Sequence, residues 1–172
     1  MRCTLSQGLT LIELVLTLGV LSVLAVSATP SLLDLLDRHR LRGAAENLRS
    51  DLMLARAEAL RLNTAVSVAF WIDIEGEGWC YGLSDTGPCD CATDGVCRLD
   101  GAPAHGAAAE RFPRVGLATS FPHGTTSFQP ARGTANAGTV TLNVGATEVD
   151  VVLSALGRVR LCSDSLGGYP PC

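Results

Sequence analysis

Residues 8–29 read GLTLIELVLTLGVLSVLAVSAT, an apolar run interrupted by one acid, Glu13. Leu9 to Thr29 is 21 residues, which at about 1.5 Å per residue makes a helix of roughly 31 Å, the thickness of a bilayer's hydrocarbon core. An acid at the centre of a spanning helix costs about 2.5–3.5 kcal/mol to insert, so one retained in such a segment is read as functional. An ordinary secretory signal is the competing reading, with Leu14–Val26 as its apolar region and Val26-Ser27-Ala28 as its cleavage site. That reading leaves Glu13 without a purpose, and Arg2 alone supplies positive charge ahead of the run. Residues 9–30 are therefore expected to form a transmembrane helix.

Pro30 follows the run and is expected to kink or loosen the helix, because it lacks an amide donor and its ring crowds the preceding turn. Beyond it, Leu41, Ala44, Ala45, Leu48, Leu52, Ala55, Ala59 and Leu62 recur at helical spacing, which predicts an amphipathic helix over residues 31–62 ending at Asn63-Thr64. Arg42, Arg49 and Arg56 repeat every seven residues near the opposite face. An ordinary solvated stripe is the favoured reading there, and a contact surface for subunits or an anionic ligand the other. The period then changes. Ala65–Ile74, Trp79–Leu83, Val115–Thr119, Thr125–Gln129, Thr139–Val144, Val149–Ser154 and Arg158–Cys162 read as short strands separated by Gly, Pro or Asn signals. A long N-terminal helix followed by strands predicts an α+β fold, the helix packed across an antiparallel sheet.

The 172 residues carry a net charge of −4, unevenly spread. Residues 63–110 hold one arginine against eight acids, whereas 111–172 hold five arginines against three acids. Overall acidity argues against broad nucleic-acid binding, so any such activity must be local. All thirteen basic residues are arginine. The seven cysteines become six if Cys3 departs with a leader, an even set that fits disulfides in an oxidising compartment. Cys162 and Cys172 are expected to close a short C-terminal loop. Cys80, Cys89, Cys91 and Cys97 are expected to pair among themselves, though not Cys89 with Cys91, whose loop would be strained. Zinc is disfavoured because the spacing of those four lacks paired CxxC units even with His105 nearby. A calcium loop at Asp90, Asp94 and Gly95 fails at Ala92 and Gly101. His39, His105 and His123 lie far apart with no nucleophile beside them. No metal, cofactor or enzymatic activity is expected.

Gly8, Leu9 and Glu13, with the apolar run after them, resemble the class III leader of type IV prepilins and type II secretion pseudopilins, although Leu9 stands where that family usually has Phe or Met. The resemblance implies that a prepilin peptidase cuts after Gly8 and methylates Leu9, and that Glu13 pairs with a neighbour's amine during filament assembly. It divides the chain into a leader (1–8), a membrane and assembly helix (9–30) and a globular pilin domain (31–172). That domain comprises the helix at 31–62 and a β-region at 65–172 that includes a cysteine-rich loop at 84–110.

At the C-terminus, Phe128-Gln129-Pro130, Arg132-Gly133-Thr134-Ala135, Gly138–Leu142, Val151–Ser154 and Gly157-Arg158-Val159-Arg160 resemble the domain shared by GspH pseudopilins and the FimT and FimU minor pilins. The acidic loop at 84–110 matches no pattern of that family. The family resemblance implies a pilin-like fold and, through the GRxR element of FimT-like proteins, capture of extracellular double-stranded DNA by Arg158 and Arg160 during natural transformation. Elementary chemistry agrees, because residues two apart on a strand share a face about 7 Å apart and guanidinium forks suit phosphate oxygens. Gly157 allows a tight turn before them, and Arg132 and Arg114 are candidate neighbours. Implied partners are major and minor pilins, the prepilin peptidase and weakly bound DNA. The implied location is the bacterial inner membrane as a single-pass protein with a periplasmic domain, then the pilus. The alternatives are a structural minor pilin without DNA binding and a GspH-like pseudopilin of type II secretion.

Overall fold

A computed structural model of the chain describes residues 10–73, 78–93, 96–103 and 106–172, with only the backbone described at 25–31. Helix α1 runs Leu11–Leu62, and its backbone stays helical through Pro30, so the proline does not end it. The chain divides into two compact units, residues 1–36 and 37–172.

In the first unit, Thr10 caps the helix: its Oγ1 accepts a hydrogen bond from the Glu13 amide at 3.3 Å, which satisfies one of the four amides a helix start leaves open. The Leu and Val side chains from Leu11 to Leu24 are exposed, as is Glu13. Among the described residues no helix is long and apolar enough to cross a membrane. The expected span at 9–30 includes Leu9 and the side chains of residues 25–30, which lie outside the described residues.

Among the described residues, the second unit holds every buried apolar side chain, from Leu41 to Leu166, and the three disulfides. A unit that contains its own entire core has what it needs to fold alone. The α1 positions predicted to be apolar face that core: Leu41, Ala44, Ala45, Leu48, Leu52, Ala55 and Ala59 are buried, and Leu62 packs partly against them. The helix stops where expected, with Asn63 at φ 52°, the left-handed conformation that Asn tolerates better than most residues.

The strands are β1 (Val66–Ile72), β2 (Trp79–Ser84), β3 (Arg98–Leu99), β4 (Ala102–Pro103), β5 (Gly106–Ala108), β6 (Gly116–Thr119), β7 (Thr125–Phe128), β8 (Gly138–Val144), β9 (Thr147–Leu153) and β10 (Val159–Cys162). All pairings are antiparallel, but they form two four-stranded sheets rather than one, ordered β5-β2-β1-β7 and β10-β9-β8-β6, beside the small β3-β4 hairpin. In the second sheet Leu161, Val151 and Val140 form one inward row across three strands. The positions between them turn outward, as the period of two requires. The expected strand at Ala65–Ile74 ends at Ile72, and Ile74 lies outside the described residues.

The segment at 84–110, read from sequence as a loop, contains β3, β4 and β5. Strands of two or three residues are too short to show a period, and β5 begins at Gly106, where only glycine fits because a Cβ would sit 2.1 Å from the Tyr81 carbonyl oxygen. The hairpin is tied to the helix end: Arg61 donates to Asp100 at 2.6 Å and to Glu58 at 2.6 Å, while Leu99 is buried. One polar cluster links helix to sheet, with the Tyr81 hydroxyl donating to Asp51 at 2.7 Å and Asn47 donating to both. Burial, followed by the Asp51 charge, pushes the Tyr81 pKa well above its ordinary value, so the phenol stays a neutral donor.

Candidate functional site

The β9–β10 connection is a tight turn. The Ser154 amide donates to the Arg158 carbonyl at 3.0 Å and the Gly157 amide to the Ser154 carbonyl at 2.8 Å, while Ser154 Oγ accepts from the Arg158 amide at 3.1 Å. Gly157 sits at φ 71°, where a Cβ costs about 1–2 kcal/mol. Space forbids it as well: a Cβ would lie 2.0 Å from the Gly133 carbonyl oxygen. Glycine is thus required twice over at the first position of the Gly157–Arg160 element.

Gly133 belongs to a second turn, in which its amide donates to the Gln129 carbonyl at 2.9 Å and the Gln129 amide to the Thr134 carbonyl at 2.8 Å. A hydrogen bond from the Ala135 amide to the Ala155 carbonyl at 3.1 Å ties the two turns together. The segments that carry Arg132 and Arg158 therefore meet at the two glycines. The strand expected from Arg158 starts one residue later, at Val159: Arg158 is exposed at the end of the turn, and within β10 Arg160 is exposed while Leu161 turns to the core. Arg160 lies opposite Val152, and Asp150, diagonal to it, accepts from Thr141 at 2.7 Å. Among the described residues no ion pair engages Arg132, Arg158 or Arg160.

Arg114 does not join this group. It pairs with Asp37 at 2.9 Å, 19 residues before Arg56 on α1, about 28 Å along the helix axis. Nor is the arginine stripe a plain solvated face. Arg42 donates to the Gly167 carbonyl, Arg49 lies 3.5 Å from Glu46, and the half-buried Arg56 lies against both glycine turns. Its Nε is 2.8 Å from where a Cβ on Gly133 would stand and 3.1 Å from that position on Gly157. Sequence reasoning does not reach this convergence, for which the seven-residue spacing of the stripe is the only signal.

The disulfides are Cys80–Cys91, Cys89–Cys97 and Cys162–Cys172. The first two lie over the outward face of β2, where Gly82 leaves room: a Cβ there would be 2.4 Å from Cys97 Sγ. The third closes a tail that Arg42 of α1 holds through the Gly167 carbonyl and whose Leu166 is buried in the core. Tyr169 faces Glu46 there, and burial first, then the Glu46 charge, raises its pKa. With their sulfurs in disulfides these cysteines offer no thiolates to a metal. That holds also for Cys162 and Cys172, which lie near Asp150. Asp94, Gly95 and His105 lie outside the described residues, as do the expected processing residues Gly8 and Leu9.

A family model described as Type II transport protein GspH matches residues 44–157. The chain belongs to the GspH family. The matched stretch holds Arg56, Gly133 and Gly157, and ends one residue before Arg158. The type IV minor pilin FimU of Pseudomonas aeruginosa shares the fold, with a TM-score of 0.51 at 23% identity over 72% of this chain and 89% of that one. A second crystal form of FimU gives a TM-score of 0.47 at 21% identity, covering 70% and 90%. The minor pseudopilin EpsH from the Type 2 Secretion System of Vibrio cholerae gives 0.49 at 12% identity, covering 72% and 97%. No curated protein matches the sequence. This GspH-family chain thus has a pilin-like α+β fold, the fold of the minor pilin FimU.

Proposed function

We propose that this chain is a FimT-like minor type IV pilin that enters the pilus and binds extracellular DNA for uptake in natural transformation. The observation that carries the reading is the pair Arg158 and Arg160, both exposed where the Gly157 turn runs into β10 and without an acid partner among the described residues. Guanidinium groups so presented contact phosphates rather than base edges, so binding is weak and without sequence preference. Two contacts correspond to a slope of about −2 in log affinity against log salt. Useful capture then needs several domains or partner pilins acting together. The role is one of binding and assembly, not catalysis.

In the test, Arg158→Gln with Arg160→Gln in the domain of residues 31–172 abolishes the mobility shift of double-stranded DNA at low salt, and lowers transformation without loss of folding or piliation. A double variant that binds as well as the unaltered domain overturns the reading. Absence of binding by either protein transfers the role to a structural minor pilin. A GspH-like pseudopilin is the other reading, favoured by the description of the matched family. Co-purification with secretion-system components rather than with pili would establish it.

Assembly follows from the leader. We infer cleavage by a prepilin peptidase between Gly8 and Leu9, methylation of Leu9, single-pass anchoring in the inner membrane with the domain in the periplasm, and pairing of Glu13 with a neighbouring pilin's amine. Intact mass of the membrane-extracted chain should equal residues 9–172 plus CH2 for the methylated amine and less six hydrogens for the three disulfides, and Glu13→Ala should insert but stay out of filaments. A mature chain beginning at Thr29, or normal incorporation of the variant, refutes the corresponding step.

A further inference from the structure

The helix carries three arginines with an acid three residues before them, and each pairs with it: Arg40 with Asp37, Arg49 with Glu46 and Arg61 with Glu58. At Arg56 that position is Met53, the residue four further on is Leu60, and no ion pair or hydrogen bond engages the side chain among the described residues. Yet Arg56 is less exposed than Arg49 or Arg61, because the turns at Gly133 and Gly157 close over its stem. A guanidinium is always charged and brings five donors. Losing part of its hydration without gaining a carboxylate is unfavourable, and an arriving anion relieves that cost. The turns that shield it carry two further cations without an ion-pair partner among the described residues, Arg132 and Arg158.

We propose that Arg56 is a binding residue of the same site, the third wall of a phosphate cradle whose other walls are Arg132 on the Gly133 turn and Arg158 on the Gly157 turn. This rests on the DNA-binding reading and extends it from a strand to three elements. Arginines on three elements then each meet a phosphate of the DNA backbone, whereas Arg158 and Arg160 alone supply two contacts. The glycines at positions 133 and 157 are then requirements of the site, since a side chain on either would enter the space of Arg56.

Salt-dependent binding tests the proposal on the domain of residues 31–172, using a DNA duplex as probe. Arg56→Gln should move the slope of log affinity against log salt toward zero by about 0.9, one phosphate contact, with the melting temperature held. Arg56→Lys, which keeps the charge, should retain the slope. If Arg56 only props the turns, Arg56→Gln lowers the melting temperature and leaves the slope unchanged, which overturns the proposal while the Arg158 and Arg160 variants still report on DNA binding. If the unaltered domain binds no DNA at any salt, the DNA reading fails by itself. The cradle is then judged with inorganic tripolyphosphate by NMR: a saturable shift of the Arg56 Nε–H resonance upholds it, and a stationary resonance refutes it.

Discussion

Reduction of the three disulfides is expected to lower the stability of the 31–172 domain by about 5–8 kcal/mol, from loops of 8 to 11 residues each contributing roughly 2.5–3 kcal/mol in the chain-entropy model. The lower figure allows for overlap, since the Cys80–Cys91 and Cys89–Cys97 loops share residues 89–91. A domain of this size is stable by only about 5–15 kcal/mol, so the reduced form lies close to unfolding. The loss has a structural route. The two overlapping bridges hold the segment that ends in β3 and β4, and that hairpin brings Leu99 and Asp100 to the end of α1. Urea unfolding monitored by circular dichroism, with and without reductant, measures the difference. An unchanged midpoint in the reduced protein would show that the packed core alone carries the stability.

Gly157→Ala is expected to cost about 2–4 kcal/mol, combining roughly 1–2 kcal/mol for an alanine in the left-handed region with about 1–2 kcal/mol for displacing the Gly133 turn. Gly145→Ala separates the two contributions. Gly145 has a similar φ of 58°, against 71° at Gly157, but nothing lies within 4 Å of its Cβ position, so only the conformational cost of about 1–2 kcal/mol applies. In a domain of this length each kcal/mol lowers the melting temperature by about 3–5 °C, which makes the two variants distinguishable by thermal denaturation. Equal losses at both sites would mean that the contact between the turns yields freely. Because Gly157 also aims Arg158, the same variant should weaken DNA binding under conditions where it remains folded.

Much of this molecule is legible in local pattern. The burial of Leu41 through Ala59 follows from a period of 3.6, the outward display of Arg160 beside the buried Leu161 from a period of two, and the end of α1 at Asn63 from that residue's own backbone preference. Pairing of Cys162 with Cys172 is readable because only ten residues separate them. Each of these depends on neighbours close along the chain.

Residue order alone thus specifies the main elements of the unit at 37–172, their polarity and the family's C-terminal pattern. Folding adds the division of the strands into two sheets, the docking of β3 and β4 on the helix end, and the meeting of Arg56, Gly133 and Gly157. Those three residues come from a helix and two turns more than twenty residues apart, and nothing in the spacing of a helical stripe encodes which turns will cover it. The same physics separates Arg114 from the group: Asp37, far away in sequence, lies within ion-pair distance and holds it at the other end of the domain helix. Residue type announces that an arginine seeks an anion, and only the folded chain determines whether its own carboxylates have already satisfied it.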